Sequence, residues 1–431
     1  MEENVKVVLP RKYDLVVGDT FQLFYRGVID APNPFCFDIV AVCDVGKNFP
    51  RYFEFFPEKE GEYKLTISVY GAGKKLLASG ETLLCVTEAK HPEKPMNILC
   101  IGDSLTAGGQ WVTECARRLA ETGGTPAGLG LDRISFIGSN GERDVHFEGF
   151  GGWLWDTYLT GASVRNFWVS CDHKKTLADQ HSLWQDDDGN RWQLETIDAG
   201  RLKFTCFGDL AANKPETGKI THIKNAFDQE EIVIKNTYYE TSSPFYNEAE
   251  DKIDFCAYLN RLGVAGLDAV YILLGINGLT GMKNPAEEAT AGVISQARKL
   301  IDILHEQCPE TKVKIMGLCV PSVTGGTGAN YGAQLPYSDA YGITRFVFAL
   351  NQAYEKLAHE EQYCDFVEFI QVSGQFDSDY NYPMAEKPVN TRSTRTELIG
   401  TNGVHPTLEG YMQIADAAFR NMVHFCAGDK F

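Results

Sequence analysis

Residues 96–122 read MNILCIGDSLTAGGQWVTECARRLAET, and this stretch decides the fold. The NILCIGDS segment, 97–104, is apolar up to its glycine, the pattern of a strand buried on both faces. The segment QWVTECARRLAET, 110–122, spaces its apolar residues as an amphipathic helix does. A buried strand followed by a helix is the repeating unit of a parallel α/β sheet. The alternation recurs downstream. RISFIGSN (133–140), LDAVYILLGIN (267–277), KVKIMGLCV (312–320) and DFVEFIQV (365–372) read as strands. Residues 285–307, 343–361 and 407–425 read as helices. Ser104 then falls at the carboxyl end of the first strand, where open α/β sheets hold their ligands. The helix after it is expected to turn N-terminal N–H groups and its positive dipole end toward this serine. Asp-Ser after a strand is also an ordinary helix N-cap, so the triplet Gly102-Asp103-Ser104 does not by itself assign chemistry.

Outside this pattern the texture changes twice. Residues 5–88 are short alternating runs separated by turn signals such as Val17-Gly18-Asp19 and Glu60-Gly61-Glu62, which predicts an immunoglobulin-like β-sandwich. The segment AKHPEKP, 89–95, is a polar linker with two prolines. Residues 161–242 carry further strand patterns, and a gap of that length inside a compact domain should not be structureless. The expected organisation is an N-terminal sandwich at 1–92, an α/β domain at 95–160 and 243–431, and a β-rich insertion at 161–242. Asp186, Asp187 and Asp188 raise the question of calcium, but Trp184 stands where an EF-hand loop needs an acceptor. The Asp188-Gly189 pair marks a hairpin turn instead.

The chain has 431 residues, and 40 Lys+Arg against 58 Asp+Glu give a net charge of −18. That charge disfavours nucleic acid, which needs a basic footprint. No apolar run reaches the length of a membrane span, so no membrane partner is expected. The 12 cysteines form no CxxC; they are expected as buried free thiols in a reducing compartment. With no signal-peptide pattern at the N-terminus, a cytoplasmic location is expected, although a secreted chain with its signal removed or a phage-associated protein fits the same residues. The histidines make no HxH or HExxH pattern, so no metal is expected. The sequence carries no reading of oligomeric state.

Three distant segments join Ser104 in one chemistry. Glu148-Gly149-Phe150-Gly151-Gly152-Trp153 follows the second strand and offers backbone N–H groups. Gly275-Ile276-Asn277-Gly278 follows the third and offers a side-chain amide. Asn402-Gly403-Val404-His405-Pro406 places a histidine before the last helix. Together they supply a nucleophile, oxyanion donors (the N–H groups of Ser104 and Gly152 and the Asn277 amide) and a general base, the parts that acyl transfer requires.

In order and spacing these four segments resemble the blocks of the SGNH/GDSL hydrolase superfamily. The resemblance covers residues 96–160 and 243–427. It implies a flavodoxin-like three-layer α/β/α domain that hydrolyses esters with no metal or organic cofactor. It also implies Ser104 as nucleophile, His405 as base, and Gly152 and Asn277 as oxyanion donors. The EGFGGW and NGVHPTLEGY segments, with the N-terminal β-module, resemble bacterial and phage-borne members that deacetylate carbohydrates. An O-acetylated carbohydrate is therefore the expected substrate. Two positions depart from the family pattern. Gly278 stands where an Asp is usual in a loop-supporting role. Asn402 occupies the place of the triad acid, three residues before the histidine. An amide oxygen can accept from imidazole Nδ1–H but cannot stabilise imidazolium as a carboxylate does. A Ser–His dyad with backbone help, a substitute acid (Asp377, Asp379 or Glu397) and loss of activity all stay open at this point.

Aromatic residues cluster near the second block. Trp153 and Trp155 are the candidates for stacking on sugar rings, with core packing as the competing role. Asp103 is a further candidate substrate contact, His146 adjoins the oxyanion loop, and Arg392 could meet an acidic sugar. The Gly-rich stretch 321–338 and the run 375–395 are candidate pocket walls. The rival functions are a lipase or thioesterase of the same superfamily, and an inactive carbohydrate-binding or phage structural protein.

Overall fold

A computed structural model describes residues 5–160, 166–176, 179–187, 189–198, 200–206, 222–226, 229–234, 236–240, 243–247, 249–279, 286–321 and 340–428. The chain is mixed α/β and divides into two compact units, Met1–Trp155 with Leu262–Phe431, and Asp156–Arg261. The N-terminal strands therefore belong to the same unit as the α/β sheet.

That sheet has seven strands. In spatial order they are Asn140–Glu142, Val145–Gly149, Ile134–Ile137, Met96–Gly102, Ala269–Leu273, Lys312–Met316 and Val367–Ile370. From Ile134–Ile137 onward the neighbours run parallel. In chain order these five strands lie 2-1-3-4-5, the order of a doubly wound sheet whose ligand site opens where strands 1 and 3 diverge. Ala269–Leu273 is buried at every position, as a strand covered on both faces must be. The small strand Asn140–Glu142 is an antiparallel addition absent from the sequence reading. Val145–Gly149 also pairs with the end of Met96–Gly102, Ile101 opposite Glu148 and Gly102 opposite Gly149. That pairing delivers the glycine-rich loop beside Ser104.

In the N-terminal part, a four-stranded sheet (Lys12–Val16, Leu76–Thr87, Gly61–Tyr70, Asp38–Val42) and a three-stranded sheet (Phe21–Phe24, Tyr52–Phe55, Lys47–Asn48) share one core. Leu15, Phe21, Leu23, Phe53, Leu65 and Leu84 are buried in it. A charged cluster ties this part to the helix Leu408–Ala427. Arg118 donates to Asp19 at 2.5 Å and to Asp416 at 2.5 Å, and Arg420 Nε donates to Asp19 at 2.6 Å. Burial works to raise the Asp19 carboxyl, but Arg420 and Arg118 outweigh it and hold the group below its ordinary value. Removing one partner of such a buried set leaves an uncompensated charge, a loss of about 3–5 kcal/mol.

The second unit carries a seven-stranded sheet that runs from Asn166–Ser170 to Asn236–Glu240 in sequence. Its core holds Trp184, Trp192, Leu194, Leu202 and Phe204, so these two tryptophans serve packing. Asp186 accepts from Asn190 N at 2.8 Å, Asn190 Nδ2 at 2.9 Å and Trp192 Nε1 at 2.9 Å; it shapes the hairpin turn. Asp188 and the side chains of Phe167 and Trp168 lie outside the described residues. The unit runs wider than 161–242 and includes the helix Phe255–Leu262 for most of its length. The cysteines correct the expectation of uniform burial. Cys100, Cys115, Cys171, Cys319 and Cys426 are buried, whereas Cys36, Cys256 and Cys364 are exposed free thiols. No described helix is long and apolar enough to cross a membrane.

Candidate active site

Ser104 opens a single helical turn, Ser104–Ala107, immediately after the strand Met96–Gly102. Gly108 and Gly109 break the chain before the longer helix Gln110–Ala120 begins. The expected long-helix dipole is thus corrected to one turn, and the donor this turn leaves is the Ser104 N–H, which has no intrahelical partner. Asp103 caps the turn: its Oδ1 accepts from Leu105 N at 3.0 Å. It is 0 % exposed, which removes it from the substrate-contact candidates and makes it a support beneath the nucleophile. Burial pushes its carboxyl up to about 7, against the pull of the Leu105 N–H.

The loop after residue 400 brings His405 back to this point, with Nε2 2.9 Å from Ser104 Oγ. With the ring proton on Nδ1, Nε2 accepts the serine hydroxyl, the geometry of a general base and its nucleophile. Burial of the half-buried ring lowers its pKa below the ordinary histidine value, so the ring is neutral and basic at pH 7. Asn402 does not serve the imidazole. Its Oδ1 accepts from Val404 N at 3.0 Å and His405 N at 2.8 Å, a side-chain-to-backbone turn that shapes the loop. Among the described residues no acceptor is recorded for His405 Nδ1. The substitute acids are engaged elsewhere. Asp377 binds Arg51, Asp379 binds Arg26 and Arg51, and Glu397 lies exposed in the hairpin strand Thr396–Gly400. Among the described residues, Ser104 and His405 thus pair with no carboxylate on the imidazole.

The oxyanion side is built from a turn. Trp153 N donates to Phe150 O at 3.3 Å, and Gly152 between them has φ +77°. A residue in that conformation is normally glycine, although a Cβ there would meet nothing within 4 Å. Phe150 N donates to Gly102 O at 3.1 Å, fastening the turn to the nucleophile strand. Asn277, in the short helix Ile276–Leu279, donates through Nδ2 to Trp153 O at 3.1 Å and to Asp103 Oδ2 at 3.3 Å. It connects the first three sequence blocks.

Trp153 and Trp155 are corrected as sugar platforms. Trp153 is buried and stacks on Phe150 at 4.1 Å, and Trp155 is buried with Nε1 donating to Tyr354 OH at 2.8 Å. Tyr354 in turn donates to Leu274 O at 2.9 Å. It thereby joins the ends of two blocks, a role with no signal in sequence because it sits mid-helix, far from both. Gly275 fits below it: φ is +130°, and a Cβ would come within 2.7 Å of the Tyr354 oxygen. Glu148, fully buried, holds Ser139 through N (2.7 Å) and Oγ (2.8 Å). His146 Nδ1 lies 3.2 Å from Asn140 O, within its own hairpin. Arg392 is exposed in the turn between Met384–Pro388 and Thr396–Gly400, and no described contact links it to Ser104. Of the candidate wall 321–338, residues 322–338 lie outside the described residues.

No family model matches the chain, and no curated protein matches it. Solved structures that match it include arylesterases, carbohydrate acetylesterases and lipases. A carbohydrate acetylesterase from Sinorhizobium meliloti is 13% identical, over 77% of this chain and 99% of that one, with a TM-score of 0.35. The aryl esterase of M. smegmatis is 12% identical, over 76% and 98%, with a TM-score of 0.34. An extracellular lipase from Streptomyces rimosus is 13% identical, over 75% and 99%, with a TM-score of 0.31.

Proposed function

We propose that the chain is a serine carboxylic ester hydrolase that removes O-acyl groups, acetyl foremost, from carbohydrates. The observation that carries this reading is the 2.9 Å contact between His405 Nε2 and Ser104 Oγ, at the carboxyl end of the sheet. His405 takes the hydroxyl proton as Ser104 Oγ bonds to the ester carbonyl carbon. The N–H groups of Ser104 and Gly152 receive the oxyanion, and Asn277 joins them if its amide exchanges the long bond to Asp103 for the substrate oxygen. The imidazolium then gives its proton to the leaving sugar alkoxide, and the C–O ester bond breaks. Water attacks the acyl-serine with His405 again as base, releasing acetate and restoring Ser104. The preference for acetylated sugars rests on the resemblance of the Glu148–Trp153 and Asn402–Tyr411 segments to carbohydrate deacetylases. In the same reading the N-terminal sheets are an immunoglobulin-like sandwich, the α/β domain has three layers, and residues 161–242 are an insertion. The exposed free thiols Cys36, Cys256 and Cys364 suit a reducing compartment.

The test is an acyl panel: p-nitrophenyl acetate, butyrate and octanoate beside acetylated oligosaccharides, with Ser104→Ala and His405→Ala as controls. Acetate should be preferred over octanoate by about tenfold or more, a discrimination within reach of pocket contacts. Preference for the longer chains would make the protein a lipase or thioesterase, and a His405→Ala variant with full activity would sink the dyad. A second reading, a binding protein with a dead hydrolase fold, is favoured by Asn402, which stands at the triad-acid position and turns its Oδ1 to Val404 N and His405 N. Reaction with an organophosphonate followed by mass spectrometry of the Ser104 peptide separates the two: an unlabelled serine in folded protein supports binding alone.

A further inference from the structure

The sequence singled out Asp377 and Asp379 as possible acids, and the structure commits both to arginines of the N-terminal part. Arg26 Nε donates to Asp379 at 2.5 Å, Arg51 NH2 to Asp377 at 2.5 Å and Arg51 Nε to Asp379 at 3.4 Å. These pairs are partly withdrawn from water: the carboxylates are 14–15 % exposed, Arg26 12 % and Arg51 29 %. The Arg51 guanidinium also lies over the Tyr380 ring at 4.4 Å. Below the arginines the 3-10 turn Ser373–Gln375 is pinned to the same module, Ser373 Oγ donating to Gly27 O at 2.9 Å.

The segment held in this way supports the base. Thr407 N, two residues beyond His405, donates to Asn381 O at 2.9 Å, and Thr401 N, four residues before it, donates to Pro383 O at 2.8 Å. Gln413 Oε1, one turn into the final helix, accepts from Asp377 N at 2.8 Å and Asn381 Nδ2 at 2.7 Å. The loop that carries His405 is thus hydrogen-bonded on both sides to residues 377–383, and those residues are clamped by Arg26 and Arg51. Among the described residues no acid meets Nδ1, so the ring's placement rests on the loop that carries it. We propose that the N-terminal module positions the general base: Arg26 and Arg51 act through Asp377 and Asp379 to hold the His405 loop at hydrogen-bond distance from Ser104. This rests on the esterase reading given above and deepens it. It makes the module part of the catalytic scaffold, where an appended β-module would otherwise be taken for a detachable glycan-binding unit.

The experiment compares wild type with Arg26→Ala, Arg51→Ala and their double variant in the full chain. It reads kcat and KM on p-nitrophenyl acetate and the His405 imidazole titration by NMR. Misplacing a base by about 1 Å costs up to about a hundredfold, so the double variant should lose about ten- to a hundredfold in kcat with KM within about twofold. Its imidazole should titrate at higher pH than in wild type, because a loosened loop admits water to a ring whose pKa burial now lowers. Arg26→Lys keeps the single pair to Asp379 and should keep most of the activity. Lys12→Ala removes a different link between the module and the sheet, the 2.8 Å pair with Glu368. It should lower Tm and leave kcat alone, which separates positioning from plain stability. A folded double variant with wild-type kcat and an unmoved His405 titration overturns the proposal. Should wild type turn over no ester, the esterase reading fails by itself, and the NMR titration still decides the positioning claim. If the double variant does not fold, Arg26→Lys against Arg26→Ala decides it by the same two readouts.

Discussion

Asp103→Asn tests whether the carboxyl under the nucleophile is stored at a cost. In the folded chain Asp103 is 0 % exposed, and its titration is pushed up to about 7 by burial. In the unfolded chain it titrates near 3.9. A rise of about three pH units, at about 1.4 kcal/mol each, amounts to about 4 kcal/mol. The sign follows from which state holds the proton. Between pH 4 and 7 the folded chain keeps a proton that the unfolded chain has released. Stability from this group is therefore greatest below about pH 4, declines as pH rises, and is at its minimum above about 7. Asparagine keeps the cap on Leu105 N, since Asn and Asp are equivalent there, and it cannot ionise. It also sets an amide N–H opposite Asn277 Nδ2 where Asp103 Oδ2 now accepts at 3.3 Å, a lost bond worth about 1–3 kcal/mol. The variant should be less stable than wild type by about 1–3 kcal/mol at pH 3, and more stable by a similar amount at pH 8.5. Urea unfolding followed by tryptophan fluorescence between those pH values measures the crossing. Parallel stability curves for the two proteins would refute the buried, proton-holding Asp103.

The acid limb of kcat/KM should fall below about 6.5, the ordinary histidine value, because burial lowers the His405 pKa; a limb at 7 or above would contradict a base without a charged partner. Asn402→Asp places a carboxylate in the same turn, keeps the acceptors for Val404 N and His405 N, and should move that limb up by about one to two pH units. Gly152→Ala meets no atom within 4 Å but forces an alanine to φ +77°. A stability loss of about 1–2 kcal/mol is expected from the left-handed backbone alone, read by denaturant midpoint, and a larger loss would mean an unseen clash. Should the turn flip to relieve that strain, loss of the Gly152 donor would lower kcat by about 10²–10³.

The strand at Met96–Gly102 and the placement of Ser104 were legible because both depend on local pattern: an apolar run, a glycine, then a polar turn. The glycine-rich loop, Asn277 and His405 were legible for the same reason, each lying just beyond a strand end or before a helix. The partner of Asn402 was not. Whether its Oδ1 turns to an imidazole or to the two N–H groups beside it is decided by backbone angles that spacing does not encode, and the local hydrogen bonds win. Trp153 and Trp155 read as platform or core, and the packing of Trp153 on Phe150 and of Trp155 against Tyr354 decides for core. The helix from Gln110 is legible in its apolar spacing, whereas the separate turn Ser104–Ala107 before Gly108-Gly109 is too short to carry a periodic signal. Arg26 and Asp379 stand 353 residues apart, and a pairing of that span has no local signature. The same holds for Tyr354 beneath Gly275.

These corrections bear on the chemistry together. A triad acid raises the basicity of its histidine and stabilises the imidazolium. Among the described residues no acid meets the imidazole, Asn402 making a turn instead, and burial pushes the pKa the other way. A base of lower pKa is weaker when it takes the serine proton, but its conjugate acid is stronger when it must protonate the leaving alkoxide. Loss in the first transfer is therefore partly offset in the second. The remaining stabilisation has to come from the oxyanion donors and from how firmly the imidazole is held. Both are matters of positioning, and the bonds that do the holding are the ones sequence could not show: Asp103 and Asn277 under the turn, Tyr354 behind it, and the arginine clamp beside the base. With no carboxylate on Nδ1 among the described residues, a Ser104–His405 pair acting as proposed depends on its scaffold more than a triad would.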